Sequence, residues 1–173
     1  MAVDYFLKLD GIDGESADSN HKNEIQIMSW SWGASQVTSV GGTGGSGAGK
    51  ASLSDFSIMA NFDKATPKFF KSICAGTHIK TGTMTAIKSG ADGKPYLKVD
   101  FKELFVTSLQ ASASSEIPTT SVSFSYNEIK IDYSVQNEQG NVASVWDATF
   151  MIETYLALCA QAGHGRPAVI GLE

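Results

Sequence analysis

A chain of 173 residues, 42% apolar and 10% aromatic, is long enough for one domain with a buried core and too apolar to be disordered. Its longest uninterrupted apolar run, Tyr155 to Ala160, is far below the ~20 residues of a membrane-spanning helix, so no membrane insertion is expected. Charged residues make up only 18%, against ~25% in an average domain, the net charge is −5, and Arg166 is the single arginine, so a nucleic-acid partner is not expected either.

Most of the chain alternates with period two, the mark of strands with one buried face. Val3, Tyr5, Leu7 and Leu9 share a face of a first strand that ends at Asp10-Gly11. A polar stretch from Gly14 to Asn23 precedes a second strand, Glu24 to about Gly33, and Ala51 to Phe62 places Phe56, Ile58, Ala60 and Phe62 on one side. His78 to Lys88 reads as a Thr-rich strand, and Asp92-Gly93 as a turn before Lys94 to Leu109.

The exception is Thr66 to Gly76. Thr66 suits an N-cap, Pro67 the first helical position, and Gly76 a left-handed stop, with Phe69, Phe70, Ile73 and Cys74 at helical spacing on one apolar face. Two strands change phase midway. Leu97, Val99 and Phe101 give way to Leu104 and Val106, and Val122, Phe124 and Tyr126 to Ile129, Ile131, Tyr133 and Val135, which predicts bulges or corners near Lys102-Glu103 and Asn127-Glu128. A last strand, Asn141 to Glu153, aligns Trp146, Ala148, Phe150 and Ile152, and Thr154 to Ala162 fits either strand or helix. The expected fold is therefore mainly β: one domain over residues 1–173, a small barrel of two antiparallel sheets with one short flanking α-helix at about 66–75.

Sites for chemistry are sparse. Gly44 to Lys50 satisfies G-x-x-x-x-G-K, the pattern of a loop that wraps backbone N–H groups around phosphates, but Ala51 replaces the Mg²⁺-binding hydroxyl and a strand follows where a helix is needed. The whole run Gly41, Gly42, Thr43, Gly44, Gly45, Ser46, Gly47, Ala48, Gly49, Lys50, within an extended loop of about 37–50, reads better as an interaction arm, since it offers backbone and close fit but no reactive group. Cys74 and Cys159 are read as buried small apolar residues, and His21 and His164 as solvated. No catalytic set, metal site or cofactor site is expected. The N-terminus, Met1 to Lys8, has no basic flank or small-residue cleavage site, so no cleaved signal peptide is expected. Ser29-Trp30-Ser31-Trp32-Gly33 places two tryptophans on one strand face and two small hydroxyls on the other.

The block Gly14-Glu15-Ser16, Asp18, His21, Glu24-Ile25 and Ser29 to Gly33, with the Gly-rich stretch to Lys50, Asp63-Lys64, Thr66-Pro67, Gly76, His78, Lys102-Glu103, Asp132-Tyr133 and Trp146-Asp147, resembles the haemolysin-coregulated protein family, Hcp, over about residues 1 to 150. These are tube subunits of the bacterial type VI secretion system. The resemblance implies a non-enzymatic subunit, made in the cytoplasm and exported, that forms homohexameric rings. The rings would stack into a tube beneath a VgrG-type spike, inside a contracting sheath, with small effector proteins in the lumen. It also implies that Gly41 to Lys50 reaches a neighbouring ring, that Ser31 faces the lumen and that the helix supports the barrel, with Trp30, Trp32, Phe69, Phe70 and Ile73 as structural residues. The stretch Gly163 to Pro167 departs from the family pattern and receives no role. The alternatives are a nucleotide-binding protein using Gly44 to Lys50 and a barrel that binds a small ligand.

Overall fold

The computed structural model describes residues 3–39, 47–88, 94–114, 116–136 and 142–151. The Asp92-Gly93 turn, Gly41 to Ser46, Cys159, His164 and the segment from Ile152 onward lie outside them. Ten strands and one helix run in the order β1 (Val3–Leu9), β2 (Ile25–Ser31), β3 (Ala34–Ser39), β4 (Gly47–Leu53), β5 (Phe56–Asn61), α1 (Ala65–Ala75), β6 (His78–Lys88), β7 (Pro95–Ser112), β8 (Thr119–Ser125), β9 (Glu128–Gln136) and β10 (Val142–Met151). All described pairings are antiparallel. This is the mainly β architecture with one helix that the alternation predicts. The stretch expected as a loop from 37 to 50 is strand at both ends: β3 and β4 form a separate two-stranded sheet, with Ala34 opposite Leu53 and Ser39 opposite Gly47.

The main sheet has the order β10-β9-β7-β6-β1-β2-β5-β8, and a further pairing of β7 with β8 closes six of its strands into a barrel. The 18-residue β7 makes closure possible because its two halves have different partners. Leu97 to Lys102 pairs with β9, whereas Phe105 to Ser112 pairs with β8. Glu103 stands at the handover with φ 56°, and the Asn127 amide, at the matching corner between β8 and β9, donates to the Lys102 carbonyl at 3.0–3.2 Å range, 3.1 Å. These are the two phase changes the sequence predicts, and they occur together because one long strand feeds both partners. His78 and Glu103 form an ion pair at the bend, with the His78 ring against Phe105.

Inside, Phe56, Phe101, Phe124, Met84, Leu104 and Val122 are fully buried. Neighbouring rings meet off-parallel, as between Phe56 and Phe101 at 4.7 Å and between Phe69 and Phe124 at 5.7 Å, geometries that aromatic quadrupoles favour. The interior is filled by side chains, which leaves the small-ligand barrel without a pocket at its centre.

The helix begins earlier than expected. Asp63 Oδ1 accepts the Ala65 amide at 2.9 Å, so Asp63 supplies the capping oxygen foreseen from Thr66, and Pro67 is the third helical residue, still in the first turn where no N–H is needed. Burial pushes the Asp63 carboxyl above its ordinary range, against the lowering effect of the Ala65 hydrogen bond. Thr66 is buried instead, with its hydroxyl 3.3 Å from that of Thr120. Gly76 takes the predicted left-handed stop, φ 59°, and its amide bonds back to the Ile73 carbonyl. Ala65, Phe69 and Ile73 pack on the core, but Phe70 is 62% exposed and Cys74 is also exposed. The expected apolar face is thus narrower: a helix on a curved barrel end reaches the core with one stripe only, and the residues flanking that stripe face outward.

The polar stretch before β2 is a folded cover, not a solvated loop. His21 stacks on Phe6 at 4.5 Å and 6° and meets Glu24 at 2.8 Å, which buries the outer face of β1. Asp18 Oδ1 accepts the Asn20 and His21 amides, and Gly14 lies against the Glu24 backbone. A Cβ at Gly14 would lie 2.5 Å from the Glu24 carbonyl oxygen. Gly14→Ala is therefore expected to lower stability by about 1–3 kcal/mol, read as a lower urea midpoint. An unchanged midpoint would show that the cover yields freely.

Candidate functional site

Beyond a bulge that leaves Met28 57% exposed, β2 turns Trp30 inward and Ser29 and Ser31 outward. Register carries this alternation across four strands. Ser31, Ser57, Ser123 and Ser108 form one row, Ser29, Met59, Ser121 and Gln110 the next, and Asn61, Thr119 and Ser112 a third. The outward wall of β2, β5, β8 and the second half of β7 carries no charged side chain in these rows. Hydroxyls satisfy one another across it: Ser57 and Ser123 are 2.8 Å apart, and Ser112 and Thr119 are 3.2 Å apart. Such a surface is smooth and neutral, with Met59 as an apolar spot in its middle row.

Behind the wall, the two tryptophans hold β2 in place. Trp30 stacks on Phe56 at 5.8 Å. The Trp32 indole N–H donates to the Tyr126 hydroxyl, which donates in turn to the Ser54 carbonyl at 3.0 Å. Ser54 also clamps Gly33, accepting its amide at 2.8 Å and donating to its carbonyl at 3.1 Å. Burial pushes the Tyr126 phenol up, the Trp32 hydrogen bond pulls the other way and Asp55 adds to the rise, so the phenol stays neutral as a relay that both accepts and donates requires. Sequence reading placed the tryptophans inward but missed Tyr126 and Ser54 as their partners. Their only signal is the break in alternation at each strand end.

The opposite side of the molecule is different. On β7 and β9 the outward residues alternate in sign: Lys98 is paired with Asp132, Asp100 with Lys130, and Lys102 with Glu128. Lys98 lies 2.7 Å from Asp100 and Lys102 2.8 Å from Glu128, and Asp132 accepts from Lys130, whose ammonium it holds above the usual lysine range. Charge is scarce in the chain, yet it is concentrated here.

The remaining expected residues are dispersed. Phe69 is in the core, Ile73 at its edge and Phe70 outside. Gly47, Ala48, Gly49 and Lys50 are strand residues of β4, which continues to Leu53, so no helix N-terminus follows Lys50 to hold a phosphate. Among the described residues no three His, Cys, Asp or Glu side chains cluster at metal-binding distance, and no helix is long and apolar enough to cross a membrane.

Comparison with known proteins matches residues 6–133 to the family described as type VI secretion system effector, Hcp. The chain is 35% identical over 143 residues to protein hcp1 of Pseudomonas aeruginosa, a match that covers 81% of this chain and 88% of that protein. Among solved structures, one described as a type six secretion system protein superposes with a TM-score of 0.84 at 27% identity, covering 89% of this chain and 98% of the other. Hcp1 from Salmonella typhimurium superposes with a TM-score of 0.72 at 31% identity, covering 88% and 97%.

The relay predicts a specific loss. Tyr126→Phe leaves the Trp32 N–H and the Ser54 carbonyl without their shared partner, so stability falls by about 1–3 kcal/mol in a denaturant titration, whereas Ser57→Ala on the wall changes it by less than about 1 kcal/mol. Equal effects would mean that the relay contributes no more than a surface pair.

Proposed function

This chain belongs to the Hcp family of type VI secretion system proteins, and from that premise we propose that its copies close into six-membered rings that stack as the secretion tube and carry small effector proteins in the lumen. The observation that supports this reading is the neutral hydroxyl wall on β2, β5, β8 and β7, set against a charged lattice on β7 and β9. A conduit needs a lining that does not grip its contents, and Ser31, at one end of the wall, is proposed to face that lining. In a ring the ion pairs of β7 and β9 stay in water, where exposed pairs add solubility at little cost in stability.

The rest of the role follows the same reading. The subunit catalyses no reaction, leaves the cell without a cleaved signal, and works with a VgrG-type spike and a surrounding sheath. The β3 and β4 sheet, with the Gly-rich residues Gly41 to Lys50, is proposed as the arm that reaches the next ring. Its tight backbone suits close apposition because glycine presents no side chain to clear.

Light scattering is expected to give a mass near six times the 18.4 kDa of one chain, with annular particles in negative stain. A monodisperse monomer at high concentration would refute the ring. Ser31→Gln is expected to leave the ring mass unchanged and to weaken retention of a lumen effector severalfold. Retention equal to that of the unmodified protein would remove Ser31 from the lining.

A further inference from the structure

The core face of the barrel does not stop where the barrel stops. One row of paired residues runs from Ile27 on β2 through Tyr5, Ala86 and Leu97 to Tyr133 on β9 and Trp146 on β10. The next row runs through Leu7, Met84, Val99 and Ile131 to Ala148. Residues in one row share a sheet face. Within the barrel this face is sealed, with Ala86 and Met84 at 0% exposure and Val99 at 3%, but on the β9 and β10 flange Tyr133 is 44%, Val135 41% and Trp146 66% exposed. The cause is the partner exchange of β7. Once β8 takes over its second half, β9 and β10 stand outside the closed barrel with their inner face uncovered.

The reverse of the flange carries Lys130, Asp132 and Asp147, so the flange has one charged and one apolar face. Tyrosine and tryptophan side chains each bury about 150–250 Å² when covered, so the exposed fractions of Tyr133 and Trp146 with Val135 leave a few hundred Å² of apolar surface on a single sheet face. That is the size of the largest patch a monomer usually shows, and below the ~800 Å² each partner gives to a stable complex. It fits the apolar centre of a contact whose polar rim comes from neighbouring elements. Tyrosine and tryptophan at such a centre are the residue types that carry most binding energy.

We propose that the inner face of the β9 and β10 flange, centred on Trp146 and Tyr133, is the seat of a second copy of this chain, and that it forms the subunit contact around the ring. The inference rests on the ring reading above and adds the surface that closes it. A head-to-tail ring contact joins two different patches of the same chain, and each copy then offers its flange to one neighbour and receives the flange of the other. Covering Trp146 and Tyr133 in this way completes outside the subunit the layer that the barrel completes inside it.

Trp146→Glu places a charge at the centre of the contact without touching the barrel core. Light scattering is expected to show the mass falling from a ring to a single chain, with the far-ultraviolet dichroism and a cooperative melt retained. Hydroxyl-radical footprinting of the unmodified protein tests the same surface without any substitution, and decides the matter if the variant fails to fold. Oxidation of Trp146 and Tyr133 should fall at least severalfold between dissociated subunits and rings, while that of the exposed Met28 on the neutral wall should change much less. Intact rings of Trp146→Glu, or equal oxidation of Trp146 in both states, would overturn the flange contact while leaving the ring reading in place. Protection already complete in dissociated subunits would also overturn it, by showing that the chain covers its own flange. Absence of any ring from the unmodified protein would defeat both readings at once.

Discussion

The structure depends on one strand pairing with two partners along its length. β7 is 18 residues long, and if it kept β9 beside it throughout, the sheet would remain open with β8 as a free edge. The left-handed backbone at Glu103 and the corner at Asn127 let the ladder pass from β9 to β8. Closure removes the edge problem on one side of the molecule and creates a flange on the other. The positive φ of a non-glycine residue carries a conformational cost, and the His78 ion pair and the β8 ladder on either side hold Glu103 in it.

From that exchange comes the division of the surface. The sheet has an inner face that is apolar all the way to β10, and an outer face whose chemistry changes with position. It is neutral and hydroxyl-rich across β2, β5, β8 and the end of β7, and lattice-charged across the start of β7 and β9. The low overall charge is therefore not spread evenly. It reflects one broad wall from which charge is missing, beside another where acids and lysines alternate. In the ring reading the first surface lines a passage and the second meets water.

Much of this was legible. Strand alternation located β1, β2, β5, β6 and β7 within a few residues, and the phase changes after Phe101 and Tyr126 marked the two corners. Gly76 ended the helix as expected, because only a residue tolerant of the left-handed conformation can stop a helix that way. The helix face was misjudged at Phe70 and Cys74, since spacing gives the direction of a stripe but not its width, which is set by how much of the barrel end the helix meets. His21 looked solvated because nothing local announces that it will stack on Phe6, fifteen residues earlier and in another element.

What the sequence determined by itself is the list of faces. Period-two alternation decides which side chains share a surface, and the resemblance carried by Gly14 to Gly33 pointed to the family that the comparisons then showed. What only the tertiary structure decided is which surfaces end up side by side and which stay open. Ser31, Ser57, Ser123 and Ser108 lie on four separate strands and become one row through register alone. Tyr133 and Trp146 alternate like core residues and are nevertheless exposed, because burial depends on whether another layer covers a face, and that is a property of the assembled sheet.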